Sequence, residues 1–173
     1  MGCGLDHEES AVIRPAAASD GDAIARIYNH YVLNPEITFE EAAVSAQEIV
    51  ARIDEGHTAS LPWLVAEDAG QVAGYAYASK WKGRCAYRFS VEITVYVDPA
   101  MTGRGTGTRL YEALFAELRT RGLHAVIGGI ALPNTTSVTL HEKFGLRKVA
   151  HFNEVGFKFN RWIDVGYWEA LLY

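Results

Sequence analysis

The stretch from Val91 to Leu110, VEITVYVDPAMTGRGTGTRL, restricts the possible folds of this chain more than any other. It begins with alternation: Val91, Ile93, Val95 and Val97 fall on one side, and Glu92, Thr94 and Tyr96 on the other. That two-residue period is a β-strand's. Asp98-Pro99 ends it, because proline has no N–H for a ladder and restricts the residue before it. Gly103-Arg104-Gly105-Thr106-Gly107 follows, after which Leu110, Leu114 and Leu118 take up helical spacing. A strand, a glycine-rich turn and a helix N-terminus make a cradle for an anion, where free backbone N–H groups meet the positive end of the helix dipole. Three alternating glycines are more than one tight turn requires.

The flanking sequence supplies the rest of a domain. Residues 1–10 read as a flexible tail, and residues 11–173 as one unit long enough to bury a core. Ala11–Ala16 reads as a short strand. Ser19-Asp20 is a helix cap, and Ile24, Ile27, Tyr28 and Tyr31 carry the helical pattern towards Leu33 and the stop at Asn34-Pro35. Ser45 with Glu48 is a capping box for a second helix reaching about Asp54. Leu61–Glu67 and Gln71–Ser79 are apolar strands joined by the turn Asp68-Ala69-Gly70. After the central stretch, a helix over Gly105–Arg121 stops at Gly122, and Ala125–Ile130 reads as a buried strand whose Gly128 and Gly129 suggest a close backbone approach. A helix over Thr135–Phe144 and strands over Arg147–Lys158 and Arg161–Leu171 complete the chain. This order predicts a single α/β (α+β) domain, with a mixed, mostly antiparallel sheet flanked by helices on both faces.

The cradle could hold several phosphorylated ligands. A P-loop requires Gly-Lys-Ser/Thr, where this chain has Gly107-Thr108-Arg109. A dinucleotide fold requires G-x-G-x-x-G and an acid ending the next strand, and neither is present. A pyrophosphate on another carrier remains, with coenzyme A the natural candidate. The net charge of −5 argues against a nucleic-acid partner. No apolar run approaches the roughly 20 residues that span a bilayer, so no membrane role is expected. The first residues lack a signal pattern, and Cys3 and Cys85 form no redox or metal motif, which points to the cytoplasm. The histidines lack metal-binding spacing, and no metal is expected.

Several later pieces, in order, carry a resemblance. These are Ile27-Tyr28-Asn29-His30-Tyr31, Pro62–Glu67, Trp81-Lys82-Gly83-Arg84, Glu92–Val97, Leu132-Pro133-Asn134, Ser137–Leu146 and Asp164–Trp168. With the glycine loop they resemble the GNAT superfamily of N-acetyltransferases, and within it the phosphinothricin and methionine sulfone or sulfoximine acetyltransferases. The resemblance implies a homodimeric enzyme that uses acetyl-CoA as co-substrate and a small amino-acid analogue as acceptor. It implies that Val95, Tyr96 and Val97 bind the pantetheine arm, with Asn134 able to bond its amides. It places the pyrophosphate on Thr102, Gly103, Arg104, Gly105, Thr106, Gly107 and Thr108. The superfamily signature usually begins with Gln or Arg, where this chain has Thr102.

Glu92, opposite the valines, is either a paired surface carboxylate or a functional acid/base, and the resemblance makes it the candidate general base. Acetyl transfer needs a neutral amine, and a carboxylate can take the ammonium proton as nitrogen attacks. His141 shares a helical face with Ser137 and Asn134 and stands where many GNAT enzymes carry a proton-donating Tyr. Lys82, Arg84 and Tyr87 form a basic, aromatic-edged connector, in isolation a solvated surface. The resemblance makes it a clamp for the substrate carboxylate. Phe39 matches a pocket-lining aromatic, while Tyr111 reads as core. Neither cysteine sits as a nucleophile, so direct attack in a ternary complex is expected. Two alternatives stay open: an acetyltransferase for a protein N-terminus, lysine or polyamine, and a non-catalytic CoA-binding module.

Overall fold

The computed structural model describes residues 11–33 and 37–173. The expected tail at 1–10 and the helix stop at Asn34-Pro35 lie outside the described residues. Seven strands form one sheet: β1 (Val12–Pro15), β2 (Trp63–Asp68), β3 (Gln71–Lys80), β4 (Ser90–Val97), β5 (Ala125–Leu132), β6 (Arg147–Lys158) and β7 (Arg161–Leu171). Four helices cover it: α1 (Gly21–Val32), α2 (Ala46–Thr58), α3 (Thr106–Thr120) and α4 (Thr135–Lys143). The strand order is β1-β2-β3-β4-β5-β7-β6, with every pairing antiparallel except β4 with β5.

Local chemistry explains most element ends. Ala69 and Gly70 sit at φ 47° and 77° between the paired Asp68 and Gln71, as a two-residue hairpin turn requires. Ser45 accepts from the Glu48 amide at 3.2 Å, and the Glu48 carboxylate accepts from the Ser45 amide at 2.7 Å. That capping box starts α2, which runs one turn past the expected Asp54 to Thr58. The expected cap at Ser19-Asp20 is replaced by other bonding. Asp20 makes no cap to α1 and instead binds Arg14 through two 2.8 Å bonds, pinning the end of β1.

The sheet separates two apolar layers. One gathers Val91 and Ile93 with Leu110, Leu114 and Leu118 of α3. The other packs Ile24 and Ile27 of α1 and Ile49 and Ile53 of α2 on Val65 and Tyr75. The alternation in β4 is divided between these layers: its valines face α3, and Tyr96 packs on the α1–α2 side. The parallel ladder joins only Ser90–Glu92 to Ala125–Ile127. Both strands continue, to Val97 and Leu132, without pairing each other, while β3 and β7 still pair their outer edges. The centre of the sheet is therefore split by a gap that opens beyond Glu92.

Candidate active site

The gap exposes one backbone edge of β4. Asp98 donates its amide to Ala73 O at 2.8 Å, and the β3–β4 register runs unbroken from Val97 to Val91. In an antiparallel ladder, alternate residues turn both backbone groups to the partner strand. Tyr96, Thr94 and Glu92 share Asp98's parity and bond β3, whereas Val95 and Val97 turn theirs to the gap. Tyr96, expected with the valines as a backbone ligand, turns its backbone groups to β3, and its ring packs on Tyr28, Tyr31 and Tyr75. Tyr31 of α1 donates to Val97 O at 2.5 Å and holds this edge in place.

Below the edge lies the glycine loop. Gly103 and Gly105 adopt φ 78° and 76°, the left-handed region open to glycine, and Gly105 precedes the first turn of α3. The amides of Thr106, Gly107 and Thr108 belong to the donors a helix N-terminus leaves unpaired within the helix. Thr102, Gly103 and Gly105 to Thr108 line a cavity of about 860 Å³ that runs through the gap. Arg104 does not line it; its guanidinium, with the side chain 64 % exposed, pairs with Asp68 at 3.7 Å. Thr102 turns its hydroxyl to Pro99 O at 3.3 Å. Lys143 of α4, also outside the cavity lining, donates to Thr108 Oγ1 at 3.3 Å.

On the α3–α4 side, His141 is buried. Its Nδ1 lies 2.7 Å from Ser137 O, an acceptor only, so Nδ1 carries the proton. Nε2 is then a lone pair and accepts from the Tyr111 hydroxyl at 3.0 Å. Burial lowers the His141 pKa and keeps the ring neutral, and burial raises that of the Tyr111 phenol. Tyr111 is core by burial, yet it lines the cavity beside His141. No spacing rule joins residues thirty apart on two helices. Asn134 also lines the cavity, but its Oδ1 accepts from the Ser137 amide at 3.0 Å as the α4 cap.

Glu92 stands on the other side of the sheet. Two adjacent glycines of β5 make this arrangement possible, one per face. A Cβ at Gly128 would overlap the His141 ring, and one at Gly129 would lie 3.0 Å from Glu92 Oε1 and 3.1 Å from the Tyr167 ring. The glycines expected to allow close backbone approach instead make room for these side chains. Burial raises the Glu92 pKa, and the charge of Lys82 partly opposes it. Around Glu92 the cavity is lined by Tyr28, Thr38, Phe39, Tyr77, Tyr96 and Tyr167. Most of these phenols were not candidates in the sequence, because they come from three strands and a helix.

The expected clamp is only partly brought to the site. Lys82 lies 4.8 Å above the Trp81 ring, which packs edge-on against Tyr167; it does not line the cavity, but its charge acts on Glu92. Arg84 and Tyr87 occupy the exposed connector and do not line the cavity.

Residues 13–166 match the family model for the acetyltransferase (GNAT) domain. The chain is 40% identical over 157 residues to phosphinothricin N-acetyltransferase of Streptomyces viridochromogenes, covering 91% of this chain and 85% of that one. It is 36% identical over 160 residues to the L-methionine sulfoximine/L-methionine sulfone acetyltransferase of Salmonella typhimurium, covering 92% and 94%. Its structure is similar to that of a GNAT superfamily phosphinothricin acetyltransferase from Sinorhizobium meliloti in complex with acetyl-CoA. The TM-score is 0.90 at 35% identity, over 94% of this chain and 89% of that one.

Proposed function

This chain belongs to the GNAT acetyltransferase family, and from that premise we propose that it acetylates the α-amine of a small amino-acid analogue from acetyl-CoA. Phosphinothricin, methionine sulfoximine and methionine sulfone are the acceptors named for its relatives. The observation that carries this reading is the split sheet, with a half-buried carboxylate on one face and a buried phenol–imidazole pair on the other.

The residues fit the co-substrate. The edge at Val95 and Val97 turns backbone groups to the pantetheine amides, with Val97 O already accepting from Tyr31, and the amides of Gly103 to Thr108 suit its pyrophosphate. Bound acetyl-CoA supplies an activated thioester. Glu92 takes the ammonium proton, directly or through water, and its raised pKa makes it a stronger base than an ordinary carboxylate. His141, neutral and without a proton at Nε2, is the orienting group for Tyr111. A buried phenol with a raised pKa keeps its proton. Tyr111 therefore stabilises charge leaving on sulfur by a hydrogen bond once its hydroxyl turns from His141. Lys82, whose charge reaches Glu92, suits the acceptor carboxylate.

The outer face of the β6–β7 hairpin exposes the paired Phe157 and Trp162, the latter at 62 %. A second copy covers this face in our reading, and Trp162→Glu should lower the mass measured by light scattering. The test of function is CoA release from acetyl-CoA across amino acids and their sulfone, sulfoximine and phosphinate analogues. Turnover confined to that set is expected. Equal, negligible rates throughout would sink the substrate class.

A further inference from the structure

The β6–β7 hairpin carries a lysine in an unusual place. Lys158, beside the turn at Phe159-Asn160, is fully buried, whereas its neighbours Phe157 and Phe159 are exposed. Burying an ammonium is unfavourable unless hydrogen bonds and opposite charge meet it. Its Nζ donates to Thr38 O at 2.8 Å, and the carboxylates of Glu41 and Glu40 favour its charge. Thr38, itself buried, also accepts from the Glu40 amide at 3.2 Å through Oγ1 and meets the Tyr28 hydroxyl. The Tyr28 ring packs edge-on against Tyr96 of β4 at 5.3 Å. Two residues before Lys158, Gly156 leaves space that the Phe39 ring fills, and a Cβ there would overlap that ring. The inner face of the hairpin tip thus grips residues 38 and 39, which line the Glu92 side of the cavity.

We propose that Lys158 is a positioning residue of the acceptor site: by fixing Thr38 it holds Phe39 against Gly156 and sets the size of the space facing Glu92. The inference rests on the reading that the acceptor enters on the Glu92 side. Among the described residues the grip reaches the donor strand only indirectly, through Tyr28 and Tyr96, so its loss should act chiefly on the acceptor. Lys158→Met keeps the length of the side chain and removes the charge and the donor. Gly156→Ala leaves Lys158 in place and displaces Phe39 directly.

Steady-state kinetics with acetyl-CoA and L-methionine sulfone test the idea. Both variants should raise the acceptor KM by about tenfold while the acetyl-CoA KM stays within about twofold, the mark of lost binding on one side only. An unchanged acceptor KM, or equal rises in both KM values, overturns the proposal. Hydrogen exchange of amides 38–44 in the ligand-free enzyme gives a reading that needs no acceptor. Faster exchange in Lys158→Met is expected, and protection equal to wild type also overturns the proposal. If wild type turns over no acceptor while exchange accelerates, the acceptor reading fails and the grip on Thr38 stands.

Discussion

The two sides of the β4–β5 gap are built from different materials. The side we assign to the donor is mostly backbone: the edge at Val95 and Val97, the left-handed Gly103 and Gly105, and the first turn of α3, all within one continuous stretch. The side we assign to the acceptor is mostly side chain: Tyr28, Phe39, Tyr77, Glu92, Tyr96 and Tyr167, brought together from four elements and a loop. Backbone groups are present whatever the residue, so a donor side built in this way should tolerate a change such as Thr102. A pocket of side chains depends on each member and on the packing behind it.

The sharpest break between the two sides should come at Glu92. Glu92→Gln keeps the shape and removes the base, so kcat should fall by a factor of about 10²–10⁴, the usual worth of general-base catalysis. The acetyl-CoA KM should barely move; if it rises in parallel, the division of labour is wrong. The same variant has a signature in stability. The folded state raises the Glu92 pKa through burial, so the native protein holds this proton more tightly than the unfolded chain, where the pKa is about 4.3. The resulting stabilisation is present below that pH and is lost as pH rises through the folded value. Glu92→Gln should therefore raise the melting temperature relative to wild type at pH 8, with the advantage gone at pH 4.

Smaller effects are expected across the gap, where a buried pair is held rather than consumed. In Gly128→Ala the new methyl overlaps the His141 ring, and the forced shift should destabilise the fold by about 1–3 kcal/mol in urea denaturation. Activity should fall with it, because Tyr111 loses its orienting partner. His141 also titrates with the opposite sign to Glu92. Its folded pKa is lowered by burial, so its contribution is complete above the unfolded value of about 6.5 and declines as pH falls below it. His141→Asn should flatten the loss of stability between pH 7.5 and 5.5. An unchanged slope would assign that loss to other groups.

The same contrast explains what could be read from the sequence. The strand, turn and helix start that we assign to the donor were legible because strand alternation, Asp98-Pro99 and the glycine loop are local signals in one stretch. The element order and the Ser45–Glu48 capping box were legible for the same reason. The point at which β5 leaves β4 was not, because it follows from how β7 and β3 hold the outer edges. The partnership of Tyr111 with His141 was hidden for a related reason: two helices meet there with no spacing rule to link them. Gly128 and Gly129 were noticed as a close approach, but not as the means by which Glu92 and His141 reach opposite faces. Arg104 was misleading in a simpler way. It lies within the loop, yet its left-handed neighbours carry it outward to Asp68.

That last case yields the finest test of a backbone-built donor side. If peptide amides hold the pyrophosphate, charges nearby should matter little, and only where they face the cradle. Arg104 is exposed and paired outward, and such surface pairs contribute at most about 1 kcal/mol. Arg104→Ala should therefore change the acetyl-CoA KM by less than about twofold. Lys143 stands 3.3 Å from Thr108 Oγ1, beside the first turn of α3. Lys143→Ala should raise that KM by a few-fold, and the difference between the variants should shrink as salt screens the charge. The acceptor KM should not change in either, because neither residue lines the Glu92 side of the cavity. A larger effect from Arg104 than from Lys143 would mean that the loop turns its arginine inward when the donor binds. The donor side would then depend on a side chain after all.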